Sequence, residues 1–168
     1  LSSVGRKRGY KKMDRIAGPS YMIEILKLSA QMGYHHYFYG STLETLTKIN
    51  KNLKRYYPGV KVVGMYSPPF RDLIENINSS KPDFVWVGLG APKQERWMAD
   101  HQGKINGFMV GIGAGFDYLS GNIKRSPKWM QKSNLEWLYR LIQEPKRLFK
   151  RYWNTNTKFI WNVLIKGK

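Results

Sequence analysis

Strand and helix signals alternate from residue 16 to residue 123, every glycine-bearing turn follows a strand signal, and one apolar run is too uniform for a half-exposed strand. Together these predict an α/β fold with a mainly parallel, Rossmann-like sheet flanked by helices. A helical appendage is expected to follow, because the composition changes near Lys124 and no further strand signal appears. The expected division is an α/β core over residues 1–123 and an appendage over 124–168.

Gly18-Pro19 is read as the N-cap and first-turn pair of a first helix, with Tyr21, Met22, Ile25 and Leu28 at helical spacing and Gly33 closing it. His35 to Tyr39 reads as a short aromatic strand ending at Gly40. Ser41 or Thr42 then caps a helix whose stripe is Leu43, Leu46, Ile49 and Leu53. Pro58-Gly59 breaks the chain before a Val-rich strand from Val60 to Tyr66, and Phe70 to Ile77 reads as a short helix. Asp83 to Leu89 is apolar enough to lie inside the sheet. Pro92 to His101 is a helix with proline in its first turn, and Gly107 to Gly113 is the last strand, opening into Gly113-Ala114-Gly115. In the appendage, Pro127 and Pro145 punctuate two or three short helices with stripes Leu135, Leu138, Leu141, Ile142 and Leu148, Phe149, Tyr152, Trp153.

The 168 residues carry 29 Lys and Arg against 11 Asp and Glu, a net charge of +18, with 42% apolar and 14% aromatic residues. Such a chain buries a core and seeks a polyanion: nucleic acid, an anionic membrane face or phosphate-bearing substrates. The charge is segregated. Residues 16–123 hold 11 basic and 8 acidic residues, whereas 124–168 hold 12 basic, 2 acidic and four of the six tryptophans. No apolar stretch approaches the roughly 20 residues of a membrane-spanning helix. The basic N-terminus lacks the apolar run of a secretory signal. The absence of cysteine removes disulfide and thiolate chemistry and fits a cytoplasmic setting. Leu1 in place of Met fits an excised or truncated piece.

Two loops carry the chemistry. In Val87-Gly88-Leu89-Gly90-Ala91-Pro92-Lys93-Gln94-Glu95-Arg96-Trp97, glycines end a buried strand and a helix begins. Backbone approach at Gly88 and Gly90, first-turn N–H groups, Lys93 and Arg96 suit an anion, and Gln94 suits a sugar or base edge. The same pattern also serves a plain strand-to-helix turn with solvated cations. Gly111-Ile112-Gly113-Ala114-Gly115-Phe116-Asp117 has its third glycine one residue early for a dinucleotide fingerprint and follows the last strand, so a nicotinamide cofactor is rejected. Asp117 suits a ribose, a uracil N–H or a sugar hydroxyl, or else a helix cap or an ion pair with Lys124 or Arg125. His35 and His36 point to opposite strand faces, His101 stands among polar residues, and no Asp-x-Asp pair exists, so no metal is expected. The Trp, Tyr, Lys and Arg mixture of the appendage suits a membrane interface, single-stranded RNA or simple packing on the core.

Arg15-Ile16-Ala17-Gly18-Pro19, Phe38-Tyr39-Gly40, Tyr57-Pro58-Gly59, Val87 to Trp97, Gly113 to Gly121, Arg125-Ser126-Pro127-Lys128-Trp129-Met130-Gln131-Lys132, Leu135 to Leu141, Gln143-Glu144-Pro145 and Arg147 occur in that order. From about Arg15 to the C-terminus the chain strongly resembles the bacterial WecG/TagA/CpsF glycosyltransferase family. The resemblance implies inverting, metal-independent transfer, without a cofactor, of an N-acetylmannosamine-type sugar from a UDP donor to a polyprenyl-diphosphate-linked sugar. It implies work on the cytoplasmic membrane face, in the synthesis of teichoic acid linkage units, enterobacterial common antigen, capsule or exopolysaccharide. By resemblance, Arg15, Gln94 and Asp117 fall on donor-pocket positions, Asp117 binding the nucleoside, with Tyr66, Gly88, Gly90 and Lys93 as further candidates. Arg15 also supports the departing diphosphate. Arg140, Arg147 and Arg151 are the appendage arginines that would hold the lipid diphosphate, which turns that segment toward an anionic membrane and away from nucleic acid. Its aromatics also suit a homo-oligomer interface. The family's general base is an aspartate in an Asp-Gly motif upstream of Arg15, and Asp14 does not match it. The expectation is therefore a C-terminal portion of a longer transferase, the alternative being an inactive fragment or a basic RNA- or anionic-lipid-binding protein.

Overall fold

A computed structural model describes residues 9–11, 17–68, 74–133, 135–146, 148, 149, 153 and 161. It divides the chain into two compact units, Leu1–Asn122 and Ile123–Lys168. The expected helix start at Phe70, the stripe residue Tyr152, and the candidate residues Arg15, Arg147 and Arg151 lie outside the described residues.

The first unit holds α1 (Gly18–Met32), β1 (His35–Gly40), α2 (Leu43–Tyr56), β2 (Lys61–Tyr66), α3 (Ile74–Ser79), β3 (Phe84–Gly88), α4 (Lys93–Asp100), β4 (Phe108–Gly111) and α5 (Gly115–Ser120). The four strands form one parallel sheet in the order β2-β1-β3-β4. Because strand side chains alternate, the sheet feeds two cores. Phe38 and Trp86 pack with Met22 and Leu26 of α1, Leu46, Ile49 and Leu53 of α2, and Phe116 and Leu119 of α5. Tyr37, Tyr39, Val85 and Val87 pack on the other face with Ile77 of α3 and with Trp97 and Met98 of α4. β3 is one of the two inner strands, as its uninterrupted apolar run predicts, and its Val85, Trp86 and Val87 are all fully buried.

Helix ends follow local chemistry, with adjustments. α1 starts from Ala17 as N-cap, with Pro19 just inside, and Gly33 ends it in the left-handed conformation, donating its N–H to the Ser29 carbonyl. Its buried stripe is Met22, Leu26 and Ser29; Leu28, expected in the stripe, lies on the opposite side and is exposed. Thr42, one of the two expected caps, accepts the Thr45 N–H at 3.2 Å. Leu43 does not belong to the α2 stripe: it is 73% exposed, and the buried Thr45 takes the inward position. Pro92 is the N-cap of α4 rather than a first-turn residue.

The second unit contains α6 (Lys128–Lys132) and α7 (Glu136–Gln143) and, among its described residues, no strand. Among its described residues, Ser126, Met130, Glu136 and Leu148 are buried. The expected stripe of α7 is displaced: Ile142 is 69% exposed, while Glu136 turns inward with Arg125 Nε 3.6 Å from Oε1. A carboxylate is tolerated there because a partly buried cation lies beside it. Trp129, Trp137, Phe149, Trp153 and Trp161 remain exposed.

Candidate functional site

β1 and β3 are neighbours, yet β1 leads into α2 on one face and β3 leads into α4 on the other. Such a switch in direction leaves a crevice outside the carboxyl ends of the strands, where open α/β sheets bind ligands. Gly40 lies opposite Gly88 at this point. A Cβ on Gly40 would come within 2.7 Å of the Gly88 carbonyl carbon, at a φ of +119°. Next to it Ser41 adopts φ +62°, and its carbonyl accepts the Ser67 hydroxyl at 2.7 Å. A non-glycine residue in that region is uncommon and stores strain of the kind found at binding crevices.

The glycines of the β3 turn have different surroundings. A Cβ on Gly88 would sit 2.4 Å from the Phe116 ring, so this glycine makes room for the core beneath the crevice. Gly90, at φ +76°, has nothing within 4 Å of its Cβ position. Of the two glycines expected to admit a phosphate, Gly88 thus faces the core with its Cβ direction, and Gly90 is the one whose Cβ direction is open. The α4 amides are partly spent: Gln94 N–H donates to the Gly90 carbonyl at 3.0 Å and Arg96 N–H to that of Pro92 at 3.3 Å. The Lys93 and Arg96 side chains are exposed.

Gln94 is not an exposed reader of ligand edges. It is 7% exposed; its Oε1 accepts the Gly113 N–H at 3.1 Å and its Nε2 donates to Glu95 Oε1 at 3.0 Å. The structure therefore joins the β3 turn to the β4 turn, whose Gly113 has φ +52° and, within 4 Å of its Cβ position, meets only Gln94 Oε1, at 4.0 Å. Two residues on, α5 begins, with Asp117 half-buried in its first turn, where the helix dipole favours a carboxylate. The cap of α5 is Ala114, not Asp117.

Tyr66 ends β2 and is separated from β3 by β1. It stacks on Tyr39 at 6.0 Å and 13°, Tyr39 on Trp97 at 4.3 Å and 20°, and Trp97 on His101 at 4.2 Å and 20°. This ladder fastens α4, and with it the Gly90 turn, to the sheet. Its signal was faint: Trp97 in α4 and His101 just after it are four apart, but Tyr39 and Tyr66 come from two strands. His101, expected among polar residues, is a ladder member whose Nδ1 lies 2.7 Å from the Trp97 carbonyl.

His36 is fully buried, stacked against Phe84 and Trp86, and its Nδ1 accepts the Trp86 indole N–H at 3.0 Å. Burial pushes its pKa down to about 4, with nearby Asp83 opposing the shift and His35 adding to it. His35 points the other way, and its backbone N–H donates to Asp83 Oδ2 at 2.7 Å. Among the described residues no three His, Asp or Glu side chains gather as metal ligands. In the second unit, Arg140 Nη2 lies 3.3 Å from Glu144 Oε2, one turn along, and both side chains are largely buried. A groove of about 650 Å³ runs along β2, lined by Leu53, Tyr57, Val60, Val63 and Met65. Among its described lining residues Asn50, Lys54 and the Tyr57 phenol supply the polar groups, whereas a ligand site needs several polar groups converging.

A sequence model of the glycosyl transferase WecG/TagA/CpsF family matches residues 1–168. The N-acetylglucosaminyldiphosphoundecaprenol N-acetyl-beta-D-mannosaminyltransferase of Bacillus subtilis (strain 168) is 33% identical over 149 residues, covering 86% of this chain and 58% of the relative. That of Bacillus spizizenii is 32% identical over 148 residues with the same coverage. A Staphylococcus aureus (strain MW2) protein of the same name is 30% identical over 138 residues, 80% of this chain and 54% of its own. The chain thus spans a little over half the length of these curated relatives.

Proposed function

The chain belongs to the WecG/TagA/CpsF glycosyltransferase family, and from that premise we propose that it is the donor-binding part of an enzyme that moves an N-acetylmannosamine-type sugar from UDP to a polyprenyl-diphosphate-linked sugar. The single observation that carries this reading is the pair of open glycine turns, Gly90 and Gly113, tied together by Gln94 beside the β1/β3 switch point. Backbone at such turns approaches a diphosphate without a side chain in the way. In this reading Lys93 and Arg15 neutralise the diphosphate as the anomeric bond breaks, without a metal, and Asp117 accepts a hydrogen bond from the nucleoside. Stabilising charge on the leaving diphosphate lowers the barrier more than binding the intact donor does. The acceptor hydroxyl attacks from the opposite side, with inversion, and gives its proton to a carboxylate base.

UDP calorimetry tests the donor half. Saturable binding is expected, unaffected by EDTA and weakened about tenfold or more by Asp117→Ala, the cost of a charge-assisted hydrogen bond. Equal competition by any polyanion, with a steep salt dependence and no effect of Asp117→Ala, would instead favour a general polyanion binder.

The acceptor half of the reading rests on the second unit. Cations beside the exposed Trp129, Trp137, Trp153 and Trp161 suit attachment to the anionic cytoplasmic face of a membrane, and no helix among the described residues is long and apolar enough to cross one. Arg140, Arg147 and Arg151 are then the cations for the lipid diphosphate, Arg140 exchanging Glu144 for it. The chain is expected to sediment with phosphatidylglycerol vesicles and to lose most of that binding without residues 124–168. Undiminished sedimentation of the shortened chain would remove the membrane role.

A further inference from the structure

We propose that Gln94 is a positioning residue, a strut that makes the turns after β3 and β4 one rigid half-site, and that it acts on the nucleotide through Gly113 rather than by touching it. The inference rests on the donor reading above for its ligand, but its geometry stands independently. Gln94 spends both ends of its amide inside the protein: the oxygen on the Gly113 N–H at 3.1 Å, the nitrogen on Glu95 at 3.0 Å. The donor on Gly113 and the acceptor on Glu95 fix which way the amide faces. The side chain is 7% exposed and closely covered, since a Cβ on Gly111 would lie 3.1 Å from its Nε2.

The consequence is mechanical. Gly113, at φ +52°, is the bend from which the chain enters α5, so the position of its amide sets where the first turn carrying Asp117 begins. Gln94 itself sits at the start of α4, its N–H held by the Gly90 carbonyl at 3.0 Å. One side chain therefore links Gly90 and Asp117, and a ligand that orders either turn orders the other. Prearranging two loops in this way removes ordering cost from the binding step.

Two variants separate a strut from a ligand contact. Gln94→Met keeps the volume and deletes both hydrogen bonds. Gln94→Glu combined with Glu95→Gln reverses the donor and acceptor between the two side chains, keeps an oxygen for Gly113, leaves the net charge unchanged and takes the NH₂ group away from position 94. The readouts are hydrogen exchange of the Gly113 amide by NMR in the unliganded protein, and UDP affinity by calorimetry. Gln94→Met is expected to speed Gly113 exchange and to weaken UDP binding, each roughly tenfold, the scale of one buried hydrogen bond. The reversed pair is expected to restore both to within about threefold of the native protein. Unchanged Gly113 exchange in Gln94→Met would overturn the proposal. So would a reversed pair that protects Gly113 yet binds UDP as poorly as Gln94→Met, because the amide would then be touching the ligand. If the native protein binds no UDP while Gly113 exchange follows the expected pattern, the strut stands and the donor reading falls.

Discussion

Gly40→Ala is expected to lower the stability of the first unit by about 3 kcal/mol or more, combining an unfavourable backbone conformation with overpacking. The methyl group would lie 2.7 Å from the Gly88 carbonyl carbon, at a φ of +119°. Backbone cannot swing aside as a flexible side chain does, so β1 and β3 must separate at the crevice. Gly90→Ala is the control. It shares a positive φ, +76°, but meets nothing within 4 Å, so only the conformational cost of about 1 kcal/mol applies. Urea unfolding followed by tryptophan fluorescence is expected to rank Gly40→Ala well below Gly90→Ala in midpoint. UDP binding is expected to show a different pattern, with Gly90→Ala losing affinity while still folded. Equal midpoints would mean that the close approach of the two strands does not exist.

Acidification provides the second large effect. His36 titrates near 4 in the native protein because it is buried, whereas an unfolded histidine titrates near 6.5. Its pKa is lowered on folding, so the unfolded chain takes up a proton that the native chain refuses. Stability is complete above about pH 6.5 and falls as the pH drops toward 4, for a total near 3 kcal/mol from this one group. His36→Phe keeps an aromatic ring beside Phe84 and Trp86 but leaves the Trp86 indole N–H without its acceptor. At pH 7.5 the variant is expected to be the less stable by about 1 to 2 kcal/mol. By pH 4.5 that gap is expected to close or reverse, since only the native sequence carries the proton penalty. Parallel urea midpoints for the two proteins across this range would show that burial of His36 is not coupled to its protonation.

Much of the candidate site was written in local sequence. The two glycine-bearing loops, Val87 to Trp97 and Gly111 to Asp117, stood out because glycine after a strand and before a helix marks a turn. The two histidines on opposite faces of β1 were readable from the period of a strand. The assignment of Gln94 to a ligand edge was not reliable in the same way, because its partner Gly113 lies 19 residues away and nothing in the α4 sequence announces it. Nor could the sequence tell Gly88 from Gly90, since the ring that fills the space beside Gly88 belongs to Phe116. Leu28 and Leu43 fitted helical stripes by spacing and still point to solvent, because the facing helices and sheet cover only a limited arc of each helix.

The sequence by itself determined the order and type of the elements, the parallel sheet with β3 inside it, the separation of a nearly neutral core from a basic, tryptophan-rich end, and the family. These follow from backbone sterics, side-chain period and composition, which act over a few residues at a time. Only the tertiary structure decided which glycine is open, that Gln94 holds Gly113, that Tyr66, Tyr39, Trp97 and His101 form one stack, and that Glu136 and Glu144 each turn toward an arginine. Most of these depend on contacts between residues far apart in the chain, and even where the partners are close, as Arg140 and Glu144 are, burial by the rest of the fold decides the outcome.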